Sequence, residues 1–401
     1  MAHVFSPPPS QTRHAIILAA GESTRTRPLT LNRPKPLIPL LGKPLLAHIL
    51  AELAGLVDHV TLIVGYRAAD IQAHFGPSYR GMALSYVFQS PHSKGTAAAL
   101  LAVAAQATSQ PPCLVLYGDN LISRVDILGV LGHCPSLAGL PVADPSAFGV
   151  LEVQDGSVQR IVEKPPTAPP GSLANPGIYH FPPTAFPLLC QLQPSPRGEY
   201  ELTELIELLA QQGKVAYHAC QGFWLPVGTP WEALLATIFL LERQRDLRSS
   251  ISPKAQLDPS CTVEGMVQIG AATIGAGCYL KGPLVIGDGV TVGEGCTLQR
   301  VVLEPGASLG HGCQLTDTAV GAGSKLGPGC VLAHSFLDAA VTLGAGVILQ
   351  AQAFPDLPPL AAATQGLLTE QAWRWRGAIL AQGNSLPPGT ILPPGTVQFP
   401  T

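Results

Sequence analysis

Apolar positions along the chain follow two different periods. Between His14 and about Leu241, apolar runs of strand length alternate with stretches of helical periodicity, the pattern of a parallel sheet covered by helices on both faces. Ala15-Ile-Ile-Leu-Ala-Ala20 predicts a fully buried first strand, and Cys113 to Tyr117 another. From Ile251 to Gln352 the period shortens. Eight pairs of a branched aliphatic residue and a glycine occur there, among them Ile274-Gly275, Val292-Gly293, Leu309-Gly310, Leu326-Gly327 and Leu343-Gly344. Their spacing of five or six residues, grouped in threes, carries the chain round a triangular coil with one aliphatic side chain per face turned inward. Glycine is expected to supply the corner conformations. Cys261, Cys278, Cys296, Cys313 and Cys330 recur 17 or 18 residues apart, each four positions after an aliphatic residue. Neither disulfides nor zinc would require that regularity, so the thiols read as small core side chains.

These periods divide the chain. Residues 1–13, with Pro7, Pro8 and Pro9, are expected to form a disordered extension, 14–241 the first domain, 242–252 a linker and 253–352 the solenoid. Residues 353–385 break the register and read as an insertion or cap, with Trp373-Arg374-Trp375-Arg376 capping the solenoid rather than crossing to another subunit. The tandem hexads beginning at Leu386 and Leu392 predict a final partial coil over 386–401.

Composition narrows the class. Charged residues are 12% of 401 positions and apolar residues 46%, which excludes a disordered solvating chain. The longest apolar stretches fall short of the roughly 18 residues a membrane span needs, and no secretory signal pattern opens the chain. A cytoplasmic protein is expected. A net charge of −3 argues against a nucleic-acid partner.

The candidate chemistry lies where the first strand empties into Gly21-Glu-Ser-Thr-Arg25-Thr-Arg-Pro-Leu-Thr30. Such a loop offers backbone amides, and Arg25, Arg27 and Lys35 add cations, in a chain with only 23 basic residues. Phosphate binding is the reading this favours over an ordinary turn. Taken singly, Asp119 in Gly-Asp-Asn also reads as a turn former, Glu163-Lys164 as an exposed strand end and Asn175 as a turn residue. Trp224 and Trp231 read as core or domain-contact aromatics. His311 reads as a solvated corner and His334 as part of a scaffold rather than a general base.

The run LAAGESTRTRPLT...RPKPLIPLLGKPLLAHIL resembles the signature of the sugar-1-phosphate nucleotidylyltransferases. VGYR at Val64, SKGTAAAL after Gln89, LYGDN around Asp119, FGVLE from Phe148, IVEKP around Glu163, NPGIY from Asn175, EYELTELIELL from Glu199 and WLPVGTPWEALL from Trp224 extend the likeness. The coils are similar to the hexapeptide-repeat left-handed parallel β-helix of two-domain bacterial and archaeal members. The resemblance implies an α/β, Rossmann-like nucleotidyltransferase domain followed by that β-helix. It also implies NDP-sugar and pyrophosphate made from an NTP and a sugar 1-phosphate, with Mg²⁺. On the family's pattern Arg25, Lys35 and Asp119 are catalytic, Asp119 also holding the metal. Leu18, Ala20, Gly21, Gln89, Gly95 and Thr96 contact the nucleotide, and Gly149, Glu163, Lys164, Asn175 and Gly177 the sugar phosphate. A homo-oligomer through the β-helix is implied too, without its size; base and sugar stay open.

Two positions depart from that pattern. Ser23 replaces a common glycine, a strained choice if the position needs positive φ. Pro226 replaces a second metal-binding Asp. A silent NDP-sugar-binding regulator is therefore one alternative. A bifunctional acetyltransferase is a weaker one, since Pro328 stands where such relatives carry a catalytic histidine.

Overall fold

The structure is a computed structural model that describes residues 12–90, 95–105, 111–355, 368 and 374–400. Four parallel strands form the heart of the first domain, in the spatial order Met82–Phe88, His59–Val64, His14–Ala19, Cys113–Tyr117. In chain order this is 3-2-1-4, so the sheet reverses direction between His14–Ala19 and Cys113–Tyr117. A crevice opens there at the carboxyl ends of the strands. Beyond Cys113–Tyr117 the sheet continues to eleven strands through Ile178–Phe181, Ser136–Pro141, Val215–Ala219, Ser157–Glu163 and Gly149–Gln154, mostly antiparallel. Helices Leu45–Leu53, Ala68–Phe75 and Arg124–Leu131 lie with one apolar cluster and Thr96–Ala104 and Leu202–Gln212 with the other, which buries both faces.

The second half is the expected left-handed parallel β-helix. Short strands stack in three columns, for example Leu257, Ile274, Val292, Leu309, Leu326, Leu343 and Leu386 on one face, each in register with the next coil. Cys278, Cys296, Cys313 and Cys330 are fully buried, and each Sγ donates to a glycine carbonyl at 3.2–3.3 Å, as Cys296 does to Gly310 O. All nine cysteines are free thiols.

Several boundaries move. The expected disordered extension over 1–13 is too long, because Thr12 is buried and its Oγ1 bonds to His180 Nε2 at 2.7 Å; residues 1–11 lie outside the described residues. The expected linker over 242–252 shrinks, since the helix Pro230–Glu242 and the strand Ser250–Ile251 occupy its ends. The insertion does not extend to 385. Its legs Gln352–Ala353 and Trp375–Arg376 pair antiparallel, and Ala378–Leu380 already stacks on Phe336–Leu337, so the last coil begins near 378 rather than 386. Trp373 lies outside the described residues. Trp375 and Arg376 do not cap the solenoid's end: Trp375 stacks on His334 at 5.2 Å, and Arg376 lies over the ring of Trp231 in the first domain at 5.1 Å.

The two domains share a core. Leu29, Ile38, Leu40, Leu225 and Phe239 of the first domain pack in one buried cluster with Val302, Ala319, Phe336 and Ile379 of one solenoid face. Glu242, at the end of its helix, pairs with Arg300, which also grips Asp317.

Candidate active site

The crevice is built by close backbone approach. Gly118 N–H donates to Leu18 O at 2.9 Å, and Tyr66 N–H donates to Ala20 O at 3.1 Å. A Cβ at Gly118 would lie 2.7 Å from Leu18 O and one at Gly65 2.7 Å from Ala20 O, so only glycine fits at either place. Leu18, Ala20 and Gly21 therefore leave the sheet between two glycine-lined walls. Ser23 has φ 55° and opens the 3-10 turn Thr24–Thr26, so the position does require the left-handed region. A serine there costs about 1 kcal/mol, near the entropy a glycine would forfeit, which makes the departure minor. Arg25 is exposed on that turn.

Lys35 begins a second 3-10 turn, Lys35–Leu37, and is 5% exposed. Its Nζ donates to Asp119 Oδ2 at 2.9 Å, across 84 positions of sequence. Asp119 remains half-exposed on the crevice side of the pair. Burying an ammonium is costly unless it is paired, and here the partner is turned towards solvent, where a polyanion could replace it. Across a two-stranded ladder, Trp224–Pro226 pairs with Asn120–Ile122, setting Pro226 opposite Asn120, while Val227 N–H donates to Asp119 O at 3.0 Å. Position 226 thus adjoins Asp119 but offers no donor. Glu232 is committed to Gly228 N–H at 2.7 Å, and burial raises its pKa.

On one side of the pair, Gln89 Nε2 donates to Gly95 O at 3.2 Å. Gly95 has φ 106° and presses on Tyr200, and Thr96 Oγ1 accepts from Leu202 N–H at 3.1 Å. On the other side, Asn175 Nδ2 donates to Tyr179 Oη at 2.6 Å, and Tyr179 shares a 3.0 Å bond with Tyr117, whose pKa burial pushes up to about 12. Gly177 is fixed by that ring: a Cβ there would lie 2.3 Å from Tyr117. A Cβ at Gly149 would meet Glu163 Oε2 at 3.0 Å. Glu163 lies 3.5 Å from both Lys164 Nζ and Arg197, and Lys164 is held at φ 45°.

The structure thus gathers the expected residues into three groups: Lys35 with Asp119, Gln89 with Gly95 and Thr96, and Gly149 with Glu163, Lys164, Asn175 and Gly177. Arg25 stands apart, with no ion pair among the described residues.

Residues 14–243 match the nucleotidyl transferase family. The chain belongs to that family. The bifunctional protein GlmU of Methanococcus maripaludis is 34% identical over 259 residues, covering 64% of this chain and 61% of that protein. The UTP–glucose-1-phosphate uridylyltransferase AglF of Haloferax volcanii is 34% identical over 226 residues, covering 54% of this chain and 91% of that one. A solved UDP-glucose pyrophosphorylase complexed with UDP-glucose shares the fold with a TM-score of 0.51 at 24% identity, over 58% of this chain and 99% of that one. The chain spans about three fifths of the length of the GlmU relatives it matches.

In the first domain the sequence reading overlooked Arg197, a second cation at Glu163 on the turn Pro196-Arg197-Gly198, and the two wall glycines, Gly65 and Gly118. The VGYR and LYGDN runs contain both glycines, but their role is visible only where they abut the first strand.

Proposed function

We propose that the chain transfers a nucleotidyl group from an NTP to a sugar 1-phosphate, giving an NDP-sugar and pyrophosphate. The observation that carries this is the buried Lys35 paired to half-exposed Asp119 at the point where the sheet reverses. A phosphate oxygen of the sugar 1-phosphate attacks the α-phosphorus in line. The bond to the bridging oxygen breaks, and pyrophosphate leaves with the electron pair. Lys35 faces the α-phosphate, where negative charge crowds, and Arg25 holds the departing phosphates. Backbone at Leu18, Ala20 and Gly21, with Gln89, Gly95 and Thr96, seats the nucleoside. Lys164 and Arg197 hold the sugar's phosphate, and Gly149, Glu163, Asn175 and Gly177 line the ring's pocket. Asp119 would fit a divalent cation as a single half-exposed carboxylate, because Mg²⁺ is commonly held by one or two carboxylates, substrate phosphates and water. When bound, Mg²⁺ supplies neutralisation of phosphate charge.

The test is pyrophosphate release from four NTPs against glucose, mannose, glucosamine and N-acetylglucosamine 1-phosphates. Turnover with one pair is expected, and Lys35→Ala should lower kcat about 10²–10³-fold, the range for losing one such stabilising donor. No release with any pair would overturn the proposal.

Pro226 favours a second reading, a binding protein without turnover. Tight NDP-sugar binding with no release, and activity appearing in Pro226→Asp, would establish it. If the wild type turns over, Pro226→Asp should instead lower the Mg²⁺ concentration needed. We expect no acetyl transfer; coenzyme A release with acetyl-coenzyme A and glucosamine 1-phosphate would contradict that. Nine free thiols suit a reducing compartment such as the cytoplasm. No described helix is long and apolar enough to cross a membrane. Assembly of copies through the solenoid belongs to the same reading, and a monomer in sedimentation equilibrium would remove it.

A further inference from the structure

One corner of the solenoid carries glycine after the aliphatic residue in coil after coil, but not in all. Ile269, Ile286, Leu303, Val320 and Leu337 stack in register, and the residues that follow them are Gly270, Gly287, Glu304, Gly321 and Asp338. Coil stacking has no need of an acid at this corner, and sinking one there carries a desolvation cost. Both acids reach across to the first domain. Asp338 is 2% exposed, and its Oδ1 lies 2.9 Å from an Arg33 guanidinium nitrogen; Arg33 also donates to Gln382 Oε1 at 3.3 Å. The Glu304 carboxylate lies beside two backbone amides, Ala322 N–H of the next coil and Gly42 N–H of the first domain.

The Asp338–Arg33 pair grips one end of a short segment, Arg33 to Gly42, Glu304 lies beside the other end, and Lys35 is inside it. Between the grips, Ile38 and Leu40 are buried in the cluster shared with the solenoid face. The segment has little structure of its own: a three-residue 3-10 turn and a strand of two residues. Such pieces are marginal in isolation. A catalytic cation must nevertheless be held to within about half an ångström to act on a transition state.

We propose that Asp338, assisted by Glu304, is a positioning residue for nucleotidyl transfer: the solenoid holds the Arg33–Gly42 segment so that Lys35 stays on Asp119. This rests on the nucleotidyl-transfer reading, and it gives the β-helix a part in the chemistry of the other domain. Asp338 does not touch substrate. It acts through Arg33, two residues before Lys35, and an ion pair buried at one partner loses its geometry when either side is removed.

The experiment uses the full chain with Asp338→Asn, Arg33→Gln and their double variant, and Arg300→Gln as control. Arg300→Gln loosens the same domain junction beside Glu242, at the far end of a helix of 13 residues. Asp338→Asn and Arg33→Gln should each lower kcat about 10- to 100-fold with KM for both substrates within about threefold. The double variant should lose no more than either, because the pair acts as one unit. Amide hydrogen exchange over residues 31–42 should quicken about tenfold, while the strands His14–Ala19 and Cys113–Tyr117 stay protected. Arg300→Gln should keep kcat within about twofold. The proposal fails if Asp338→Asn keeps wild-type kcat, if exchange over 31–42 does not change, or if Arg300→Gln loses as much activity. A wild type that releases no pyrophosphate would instead sink the nucleotidyl-transfer reading, and the exchange measurement would still decide whether the solenoid holds the segment.

Discussion

His14 stands at the entry of the first strand, stacked on His59 at 4.8 Å with its Nε2 bonded to Thr61 Oγ1 at 2.8 Å. Burial first, and then the neighbouring His59, push its pKa down to about 4. The folded state therefore binds this proton less readily than the unfolded chain, where histidine titrates near about 6.5. Stability from the neutral ring is complete above that value and drains away as pH falls through 6.5 towards 4. Urea unfolding at pH 7 and pH 4.5 should show a smaller loss of stability for His14→Gln than for the wild type, and equal losses would exclude this residue. Lys35 shows the opposite logic, since its charge is kept inside by pairing it with a carboxylate that faces out.

Within a solenoid coil, glycines serve for two reasons that mutation can separate. Gly310 follows its aliphatic residue, and a Cβ there would lie 2.5 Å from Pro328 N and 2.8 Å from Gly327 C, both backbone that cannot step aside. Gly312 is two residues on at φ 68° with open space beside it. Gly310→Ala should cost about 1–3 kcal/mol by forcing two coils apart. Gly312→Ala should cost about 1 kcal/mol through the left-handed backbone alone. The order of the two in denaturant unfolding is the check, and it would fail if Gly312→Ala proved the worse. Corner conformation therefore belongs to the glycine before Cys278, Cys296, Cys313 and Cys330, while the aliphatic-glycine pairs mark where neighbouring coils touch. The sequence pattern alone does not separate these roles.

At the scale of the molecule, the solenoid face is the floor beneath the Gly21–Thr30 loop. Leu29, Ile38, Leu40 and Phe239 are each at most 1% exposed, and all four pack in the cluster shared with the solenoid. Cutting the chain after residue 249 would bare that patch. Such a fragment should melt at least about 5 °C lower than the whole protein or fall out of solution, since losing even one large buried contact of a few kcal/mol shifts a domain of this size by that much. A fragment as stable as the parent would show that the domains are only tethered.

The sequence by itself determined what local periodicity can encode. Alternating runs specified a buried parallel sheet, the 17-residue step fixed which residues line the coils, and the cluster of Arg25, Lys35 and glycine after the first strand singled out the loop proposed to bind phosphate. Each follows from whether a residue faces apolar neighbours or a turn, which its immediate sequence decides. The tertiary structure alone brought Lys35 to Asp119, placed Pro226 beside them, and extended the sheet through antiparallel strands. It also gave meaning to Glu304 and Asp338, visible in the repeat as misplaced acids but unreadable until the first domain lay against them. Long-range partners are chosen by which surfaces fit and which charges would otherwise be buried alone, and no window along the chain contains both halves of that choice.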